Sequence, residues 1–310
     1  MDCWYPITVS RHNNYRGKDG LLYTYVYGKM QVPCGRCPAC RRRKQNEWAF
    51  RMLEEAKYTK HTAFVTLTYD DDHLPYSALG VPTLDPFRLT KFFKDLRYRI
   101  GSFRYFACGE YGDTFDRPHY HFILFYNGDL SQEKVSEWVS KCWNDGHTKY
   151  ESPVTAGRSK YCAKYSMKQV GFDYGDVVPP FARMSRRPGI GRMFLDHNNL
   201  SLIRSLDQWY VHDYQGTPYT LPRYYKERIY SKDECLQHSL LLEKIKNAKL
   251  DNIIRDSDNY WKYYADKILQ NERLFIKHLK LENYGFRYKL TKPTEFKKSD
   301  YGAELVSDEF

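Results

Sequence analysis

Two histidines, His119 and His121, stand two positions apart in the sequence. Successive side chains of a β-strand point to opposite faces of a sheet, so residues two apart share a face. A strand through this segment would therefore direct both imidazoles to one face. Two imidazoles on one face can bind the same divalent metal ion. Two ordinary histidines on a sheet surface would show the same spacing, so the pair needs supporting residues nearby.

A carboxylate, Glu110, precedes this pair in the sequence. It lies in the polar segment 109–113, which is typical of a turn. One carboxylate and two imidazoles give three ligands and leave open positions for a substrate oxygen, as a catalytic ion requires. This ligand set suits Mg²⁺ or Mn²⁺ bound to a phosphate oxygen better than a closed structural zinc site. Asp113 and Asp116 are local alternatives for the acidic ligand.

Two tyrosines and two lysines follow the histidines at helical spacing, as Tyr161, Lys164, Tyr165 and Lys168. Residues three and four apart share one side of a helix, so all four side chains would face the same ligand. A tyrosine oxygen can attack a phosphodiester and keep the product as a phosphotyrosine, and a nearby ammonium can stabilise the charge that develops. The chain contains 29 tyrosines, so a packed aromatic pair is the alternative interpretation.

Three of the eight cysteines form a compact run, Cys34-x-x-Cys37-x-x-Cys40. No export signal is recognisable, so we expect a reducing compartment and no disulfide framework. The spacing suits Zn²⁺ if Cys3 or His12 supplies a fourth ligand, and a reduced, turn-forming cluster is the alternative. The next four residues are basic and would contact nucleic acid or form a solvated helix start: Arg41, Arg42, Arg43 and Lys44.

The elements that would position these residues alternate between strands and helices. Apolar and β-branched runs predict strands over 64–69, 103–108 and 119–126 and a short strand over 146–151. Apolar residues at helical spacing predict helices that end near residue 60 and that cover 85–100, 131–143 and 159–170. From residue 64 the order is β-α-β-β-α-β-α, which predicts an α+β, ferredoxin-like split βαβ fold: an antiparallel sheet with flanking helices.

The second half of the chain has a different character. Residues 177–191 form a connector rich in Pro, Gly and basic residues, among them Arg186 and Arg187. The pattern over 231–280 predicts two antiparallel helices, and the tail from 297 is loose and acidic. We therefore expect a cysteine-cluster segment and helix over 1–60, a catalytic core over 61–195 and a mainly helical region over 196–310.

The overall charge points to a polyanionic partner. Lys and Arg number 49 against 38 Asp and Glu, a formal net charge of +11, and the isoelectric point is about 9.1. Nucleic acid is the simplest such partner, and a solvated cationic surface is the alternative. The mean hydropathy of −0.74 and the lack of a long apolar run argue against a membrane-spanning helix. We expect the protein to act in a cytoplasm.

Taken together, these segments resemble the HUH endonucleases, and in particular the rolling-circle replication initiators of small single-stranded DNA phages (microviruses of the gokushovirus type). The resemblance covers about residues 32–191. It rests on six blocks in the expected order: PCGRCPACR (33–41), FVTLTYD (64–70), CGEYG (108–112), RPHYH (117–121), YCAKY (161–165) and MSRRPGIG (184–191).

The resemblance implies roles for particular residues. His119 and His121 match the paired metal ligands, and Glu110 matches the acidic ligand before them. Tyr161 and Tyr165 match two nucleophiles that alternate, with Lys164 between them. Tyr120 replaces the aliphatic residue that is usual between the histidines, and it should point to the opposite sheet face.

The implied function is nicking of one DNA strand at a replication origin, with a 5′-phosphotyrosine link and later rejoining of the strand. Single-stranded DNA, origin duplex, a host polymerase and a host helicase are the implied partners. No Gly-x-x-x-x-Gly-Lys-Ser/Thr loop is present, so we expect no ATPase of its own.

Two other functions remain open at this point. One is a non-enzymatic, zinc-dependent nucleic-acid-binding protein built on the cysteine cluster. The other is an HUH relaxase or transposase. Relaxases usually have three histidines at the metal and many transposases have one tyrosine, so Glu110 and the paired tyrosines disfavour both.

Overall fold

The computed structural model describes residues 3, 6–16, 22–35, 37–112, 116–165, 174–212, 216 and 218–256, without the side chains of 11–16, 22–28, 30, 165, 246, 247 and 249–256. The first half contains β1 (Ile7–Arg16), β2 (Leu22–Val32), α1 (Pro38–Lys57), β3 (His61–Thr68), α2 (Pro86–Ile100), β4 (Arg104–Tyr111), β5 (Pro118–Tyr126), α3 (Gln132–Cys142) and β6 (Thr148–Glu151). The rest contains α4 (Ala156–Tyr165), β7 (Phe181–Met184), α5 (Met193–His197), α6 (Leu200–Ser205), β8 (Tyr210–His212), β9 (Pro218–Thr220), α7 (Arg223–Ile229) and α8 (Lys232–Asp256).

The central sheet has five strands in the order β6-β3-β5-β4-β7, and all neighbouring strands are antiparallel. β5 lies between β3 and β4, and β3 lies between β5 and β6. The units β3-α2-β4 and β5-α3-β6 are therefore two split βαβ units, and the predicted α+β fold with its antiparallel sheet and flanking helices is confirmed.

Helix α2 shows how the sequence sets an element that backs the sheet. Asp85 caps it, because its side chain accepts hydrogen bonds from the backbone N–H groups of Phe87 (2.8 Å) and Arg88 (3.0 Å). The helix then begins with Pro86 and ends at Gly101, whose φ of 84° a residue with a side chain rarely adopts.

The sheet is covered on both faces. Helices α2 and α3 cover one face with a core that includes Leu89, Phe92, Val139 and Phe122. Helices α1 and α4 cover the other face with a smaller core that includes Met52, Phe106, Ile123 and Cys162.

Tyr120 faces the α2 side, as its spacing between the histidines predicts. Its fully buried hydroxyl lies 2.9 Å from the Tyr69 hydroxyl, accepts from the Asp85 N–H (2.8 Å) and donates to the Asp85 carbonyl (2.9 Å). The two histidines on either side of Tyr120 consequently face the α1 and α4 side.

Several strands differ from the sequence prediction, among them β8 and β9 in the region predicted as mainly helical. The hairpin of β1 and β2 was not predicted. Strand β7 was interpreted as part of a connector, and it is the fifth strand of the sheet. Glu110 was assigned to a turn, and it lies in β4, which continues to Tyr111. The predicted strand over 103–108 is therefore too short.

The C-terminal part of the described chain has its own core, in which Phe194, Trp209 and Tyr225 pack against Phe50 of α1. The helical prediction from residue 231 is confirmed for α8, while the second helix towards residue 280 and the tail from 297 lie outside the described residues. The boundaries near residues 60 and 195 stay predictions. No described helix is long and apolar enough to cross a membrane.

A buried carboxylate fastens this part to the sheet. Glu55 of α1 pairs with Arg104 and accepts a hydrogen bond from the Gly191 N–H at 2.7 Å. The Gly191 carbonyl accepts from the Tyr225 hydroxyl at 2.9 Å. We call the end of the sheet near Arg104 the far end, and the end near Glu110 the site end.

A candidate metal centre beside a tyrosine helix

The three central strands bring the candidate ligands together. Glu110 of β4 pairs in register with His119 of β5, and Cys108 pairs with His121. Thr66 of β3 pairs with His121 from the other side. Residues two apart share a face, so Glu110 and both histidines point to the α1 and α4 side of the sheet.

The ligand atoms meet at one carboxylate oxygen. Glu110 Oε1 lies 3.0 Å from His119 Nε2 and 2.8 Å from His121 Nε2. Glu110 is 1% exposed and His121 6%. These three residues form one of the two groups of candidate metal ligands found among the described residues.

The Nδ1 atom of each imidazole lies within hydrogen-bond distance of a protein oxygen on the side away from Glu110. His119 Nδ1 lies 3.1 Å from the Arg117 carbonyl, which can only accept, so Nδ1 carries the hydrogen. His121 Nδ1 lies 2.9 Å from the Thr66 hydroxyl. Such outer contacts fix the orientation of metal-binding imidazoles. Sequence reasoning missed Thr66, although a polar residue in a strand of apolar neighbours is a usable signal.

This arrangement fits a bound cation. With Nδ1 protonated, His119 Nε2 faces a carboxylate oxygen at 3.0 Å, which is favourable only if a proton or a metal ion lies between them. Ligands about 2.1 Å from an octahedral ion and adjacent to each other are about 3.0 Å apart. The observed 2.8 and 3.0 Å match that separation.

The electrostatics of Glu110 favour its ionised form. Burial alone would raise the pKa of this carboxyl, but hydrogen bonds and positive charge from His119 and His121 outweigh burial and lower the pKa to about 2. Glu110 is therefore a carboxylate at neutral pH, as a metal ligand must be.

A tyrosine of α4 reaches the same carboxylate. The Tyr161 hydroxyl donates to Glu110 Oε1 at 3.2 Å and lies 3.5 Å from His121 Nε2. The Tyr161 ring meets the rings of Phe64 and His121 edge-on. The residue remains 39% exposed, so one side of the ring is open to solvent.

The other members of the tyrosine segment are placed less fully. Lys164 is half-buried on α4, and Tyr165 is the last residue of α4, with a side chain outside the described residues. Lys168 also lies outside the described residues, as does the acidic alternative Asp113.

The cysteine run forms the second candidate metal group. The sulfur atoms of Cys3, Cys34, Cys37 and Cys40 all lie within 4.8 Å of one another, so Cys3 joins the predicted three. None of the eight cysteines, all of them described, forms a disulfide.

Hydrogen bonds shape this cysteine group as a loop around its sulfur atoms. The Cys37 N–H donates to the Cys34 sulfur at 3.3 Å, and the Cys34 N–H donates to the Cys3 sulfur at 3.2 Å. The Cys3 and Cys37 sulfur atoms are 3.9 Å apart. Four thiolates about 2.3 Å from a tetrahedral zinc ion would be about 3.8 Å apart, so the donor set and the spacing fit that ion.

The predicted DNA-binding residues divide between the two ends of the sheet. Residues 41–44 lie in the first turns of α1, next to the cysteine group. Arg186 and Arg187 are exposed and follow β7 at the far end, where the Pro188 carbonyl accepts from Arg104 at 2.9 Å. The structure therefore does not bring these two arginines to the Tyr161 site.

The fold and the site define the class of protein. The family described as replication-associated protein ORF2 matches residues 62–170, which contain all four residues of the Glu110, His119, His121 and Tyr161 site. This match and the phage relatives described next confirm the resemblance to replication proteins of small single-stranded DNA phages.

Individual relatives extend the match beyond these residues. The chain is 37% identical to Replication-associated protein ORF2 of Spiroplasma virus 4 over 265 residues, which cover 74% of this chain and 80% of that protein. It is 28% identical to Replication-associated protein VP4 of Bdellovibrio phage phiMH2K (63% of this chain, 66% of that protein). It is 27% identical to Replication-associated protein ORF4 of Chlamydia phage 1 (64% and 53%). The chain belongs to this family of phage replication-associated proteins. No solved structure matches it.

Proposed function

We propose that this protein initiates rolling-circle replication by nicking one DNA strand at the origin, with Tyr161 as a nucleophile. The observation that carries the proposal is the hydrogen bond from the Tyr161 hydroxyl to Glu110 Oε1 (3.2 Å), at the point where both imidazoles converge. A packed aromatic pair would not require a partly exposed tyrosine with its hydroxyl at a buried carboxylate.

The reaction is a transesterification. The Tyr161 hydroxyl loses its proton as its oxygen attacks the scissile phosphorus. The bond from phosphorus to the 3′ oxygen breaks, and that oxygen takes up a proton as it leaves, so the proton count balances. The products are a 5′-phosphotyrosine and a 3′-hydroxyl that a host polymerase can extend. One phosphoester replaces another, so no nucleotide is hydrolysed.

The residues of the site divide this work. The Tyr161 hydroxyl donates its proton to Glu110 and lies close to His121. This contact orients the hydroxyl so that the lone pairs of its oxygen are available to an incoming phosphate. Glu110, His119 and His121 would hold Mg²⁺ or Mn²⁺, which supplies positive charge to a non-bridging phosphate oxygen and fixes the phosphate for attack.

Tyr165 and Lys164 complete the proposal. Tyr165 lies four residues after Tyr161 on α4, so the two share one side of the helix and can serve in successive transfers. In the second transfer the released 3′-hydroxyl attacks the first phosphotyrosine and rejoins the strand. Lys164 would neutralise charge on the phosphate.

We assign the cysteine group to Zn²⁺, because four thiolates are the ligand set of closed structural zinc sites. The two ions therefore differ in kind: one leaves positions open for DNA and the other is enclosed. Single-stranded and duplex origin DNA are the proposed substrates, a host polymerase and helicase the proposed partners, and the host cytoplasm the place of action.

A covalent-adduct assay tests the nicking reaction. The protein is incubated with a labelled origin oligonucleotide and Mn²⁺, and adducts are separated on a denaturing gel and mapped by mass spectrometry. We expect Tyr161→Phe to remove the Tyr161 adduct, and Tyr161→Phe with Tyr165→Phe to remove all adducts. Tyr98→Phe is the matched control, because Tyr98 is 84% exposed on α2, across the sheet.

Two further results decide the assay. His119→Ala should abolish adduct formation while DNA binding persists, because phosphate contacts elsewhere supply the affinity. An adduct that survives in the double tyrosine variant would refute the assignment. DNA affinity that depends on the cysteine group alone, without any adduct, would favour a non-enzymatic nucleic-acid-binding protein.

A further inference from the structure

The start of α1 and the end of α4 lie side by side at the site end of the sheet. Gln45 of α1 donates from Nε2 to the Lys160 carbonyl of α4 at 2.8 Å. Lys160 directly precedes Tyr161, so this contact joins α1 to the proposed nucleophile helix next to the site.

Helix α1 runs from the site end towards the far end. The Trp48 and Phe106 ring centroids are 5.1 Å apart, and Glu55, two turns later, pairs with Arg104. Residues before Gln45 therefore lie closer to the site end than Gln45 itself.

Helix α4 runs in the opposite direction. The Val154 N–H, just before the helix, donates to Thr62 near the start of β3, and Tyr161 reaches Glu110 at the other end of the sheet. The two helices are therefore antiparallel, and Lys164 lies one turn beyond Lys160 towards the site end.

From this geometry we expect two cations at the same end of the α1 and α4 pair. Arg42 lies three residues before Gln45 and shares its side of α1, one turn (about 5 Å) nearer the site end. Lys164 lies one turn beyond Lys160 on α4. Two cations at one place attract a phosphate more strongly than either does alone. Arg42 is exposed and Lys164 half-buried, so a phosphate can reach both.

The start of α1 has one favourable signal, Pro38 at its first position, but it lacks a side-chain cap. The cap residue Cys37 makes no side-chain cap hydrogen bond, and the first turn contains no acidic residue. Residues 41–44 add four positive charges directly after this first turn. A constraint at Cys37 and Cys40 would stabilise these turns.

A zinc ion with four thiolates supplies that constraint. Its net charge is −2, and two of its ligands, Cys37 and Cys40, lie at the cap and in the first turn of α1. The complex would complement both the helix dipole and the basic residues, whereas four neutral thiols would not. Cys3 and Cys34 would tie the preceding segments to the same point.

We propose that zinc at the cysteine group fixes the first turns of α1, and that Arg42, thereby set beside Lys164, contacts a backbone phosphate of the single DNA strand that enters the Tyr161 site. The inference rests on the proposed nicking function for the identity of the strand. Arg42 is a positioning residue, because it contacts the flanking strand and not the scissile phosphate.

Zinc content and DNA affinity test the proposal on the full-length protein. We expect about one zinc per chain by mass spectrometry of the metals, lost in Cys34→Ser and Cys3→Ser and retained in the control Cys235→Ser, whose residue lies on α8. Cobalt substitution should give the thiolate charge-transfer absorption of a tetrahedral sulfur site. Its absence would refute the cysteine ligands even if a serine variant fails to fold.

Binding is measured by fluorescence anisotropy with a labelled single-stranded oligonucleotide, in the Tyr161→Phe background so that no strand is cut. We expect Arg42→Ala to lower the affinity about tenfold and to reduce the slope of log K against log salt by about 0.7, the value for one phosphate contact on a single strand. Lys91→Ala is the matched control, because it removes one exposed charge from α2, on the other face of the sheet.

Equal losses in Arg42→Ala and Lys91→Ala would overturn the Arg42 contact. Removal of zinc with unchanged affinity and slope would overturn the coupling between the ion and α1. These readouts do not depend on cleavage, so failure of the adduct assay alone would refute the nicking function and leave this binding result to be judged separately.

Discussion

The buried carboxylate of Glu110 should give the metal-free protein a specific dependence of stability on pH. Its pKa is lowered from the ordinary 4.5 to about 2, because His119 and His121 outweigh the opposing effect of burial. A group whose pKa is lower in the folded state stabilises the fold above its unfolded pKa. That stabilisation is lost as the pH falls from about 4.5 towards 2.

The size of the effect follows from the two pKa values. The full difference corresponds to about 3 kcal/mol, and about 2 kcal/mol of it is lost between pH 6 and pH 3. Glu110 is 1% exposed, so solvent screening does not reduce this figure as it would at a surface pair.

Urea unfolding in the presence of a chelator measures this pH-dependent stabilisation by Glu110. The free energy of unfolding is determined at pH 6 and pH 3 for the wild type and for Glu110→Gln, whose amide does not titrate. We expect the wild type to lose about 2 kcal/mol more than the variant between these pH values. Titrating groups that are remote from Glu110 are shared by the two proteins and cancel in the difference.

Glu137→Gln is the control for burial. The pKa of Glu137 is also lowered to about 2, by hydrogen bonds to Lys134 and Lys141, but its side chain is 40% exposed. We expect its pH profile to follow the wild type, because surface ion pairs contribute little. A difference between wild type and Glu110→Gln that stays constant from pH 6 to pH 3 would refute the reasoning.

Three further predictions each concern the hydrogen bonds of one side chain. Thr66→Val removes the hydroxyl 2.9 Å from His121 Nδ1 and should weaken metal binding about 10- to 100-fold in calorimetric titration, without loss of fold. Tyr120→Phe removes a hydroxyl that bonds Tyr69 and Asp85, and should lower the free energy of unfolding by about 1–3 kcal/mol in urea. Asp85→Ala removes the cap of α2 and should cost about 1 kcal/mol in the same assay. Unchanged values would contradict each of these in turn.

The elements from β3 to α4 could be predicted because their local signals agree with the final fold. Asp85 followed by Pro86 is both a cap sequence and the observed helix start. Once β5 is a strand, the spacing of His119 and His121 places both side chains on the same face of the sheet. Their contact with Glu110 then follows from the pairing of β4 with β5.

Glu110 was placed in a turn because the glycines close to it resemble turn chemistry. Gly109 has a different reason to be glycine: a Cβ there would lie 2.9 Å from the ring of Phe181 in β7 and 3.0 Å from Leu84. The glycine allows close packing across the strand, and no local pattern reveals a neighbour that is 72 residues away along the chain.

The remaining differences have the same physical origin. Strand β7 has four half-buried residues, too few for an alternating pattern, and its pairing with β4 defines it. Cys3 joins the cysteine group across 31 residues of chain, which spacing rules for ligands near in sequence cannot detect. Contacts at long range in sequence decide each of these features.

The contacts of Glu55 with Arg104 and Gly191 mean that the C-terminal region is attached to one end of the sheet only, as far as the described residues show. The C-terminal region meets the sheet at the far end, and Arg104 and Glu110 lie six positions apart in β4, about 20 Å along the strand. A load applied to the C-terminal region, such as the pull of a moving partner, enters the sheet at Arg104 and α1. If Tyr161 holds a cut DNA strand as proposed, that covalent link lies at the opposite end of the sheet from the point where the load enters.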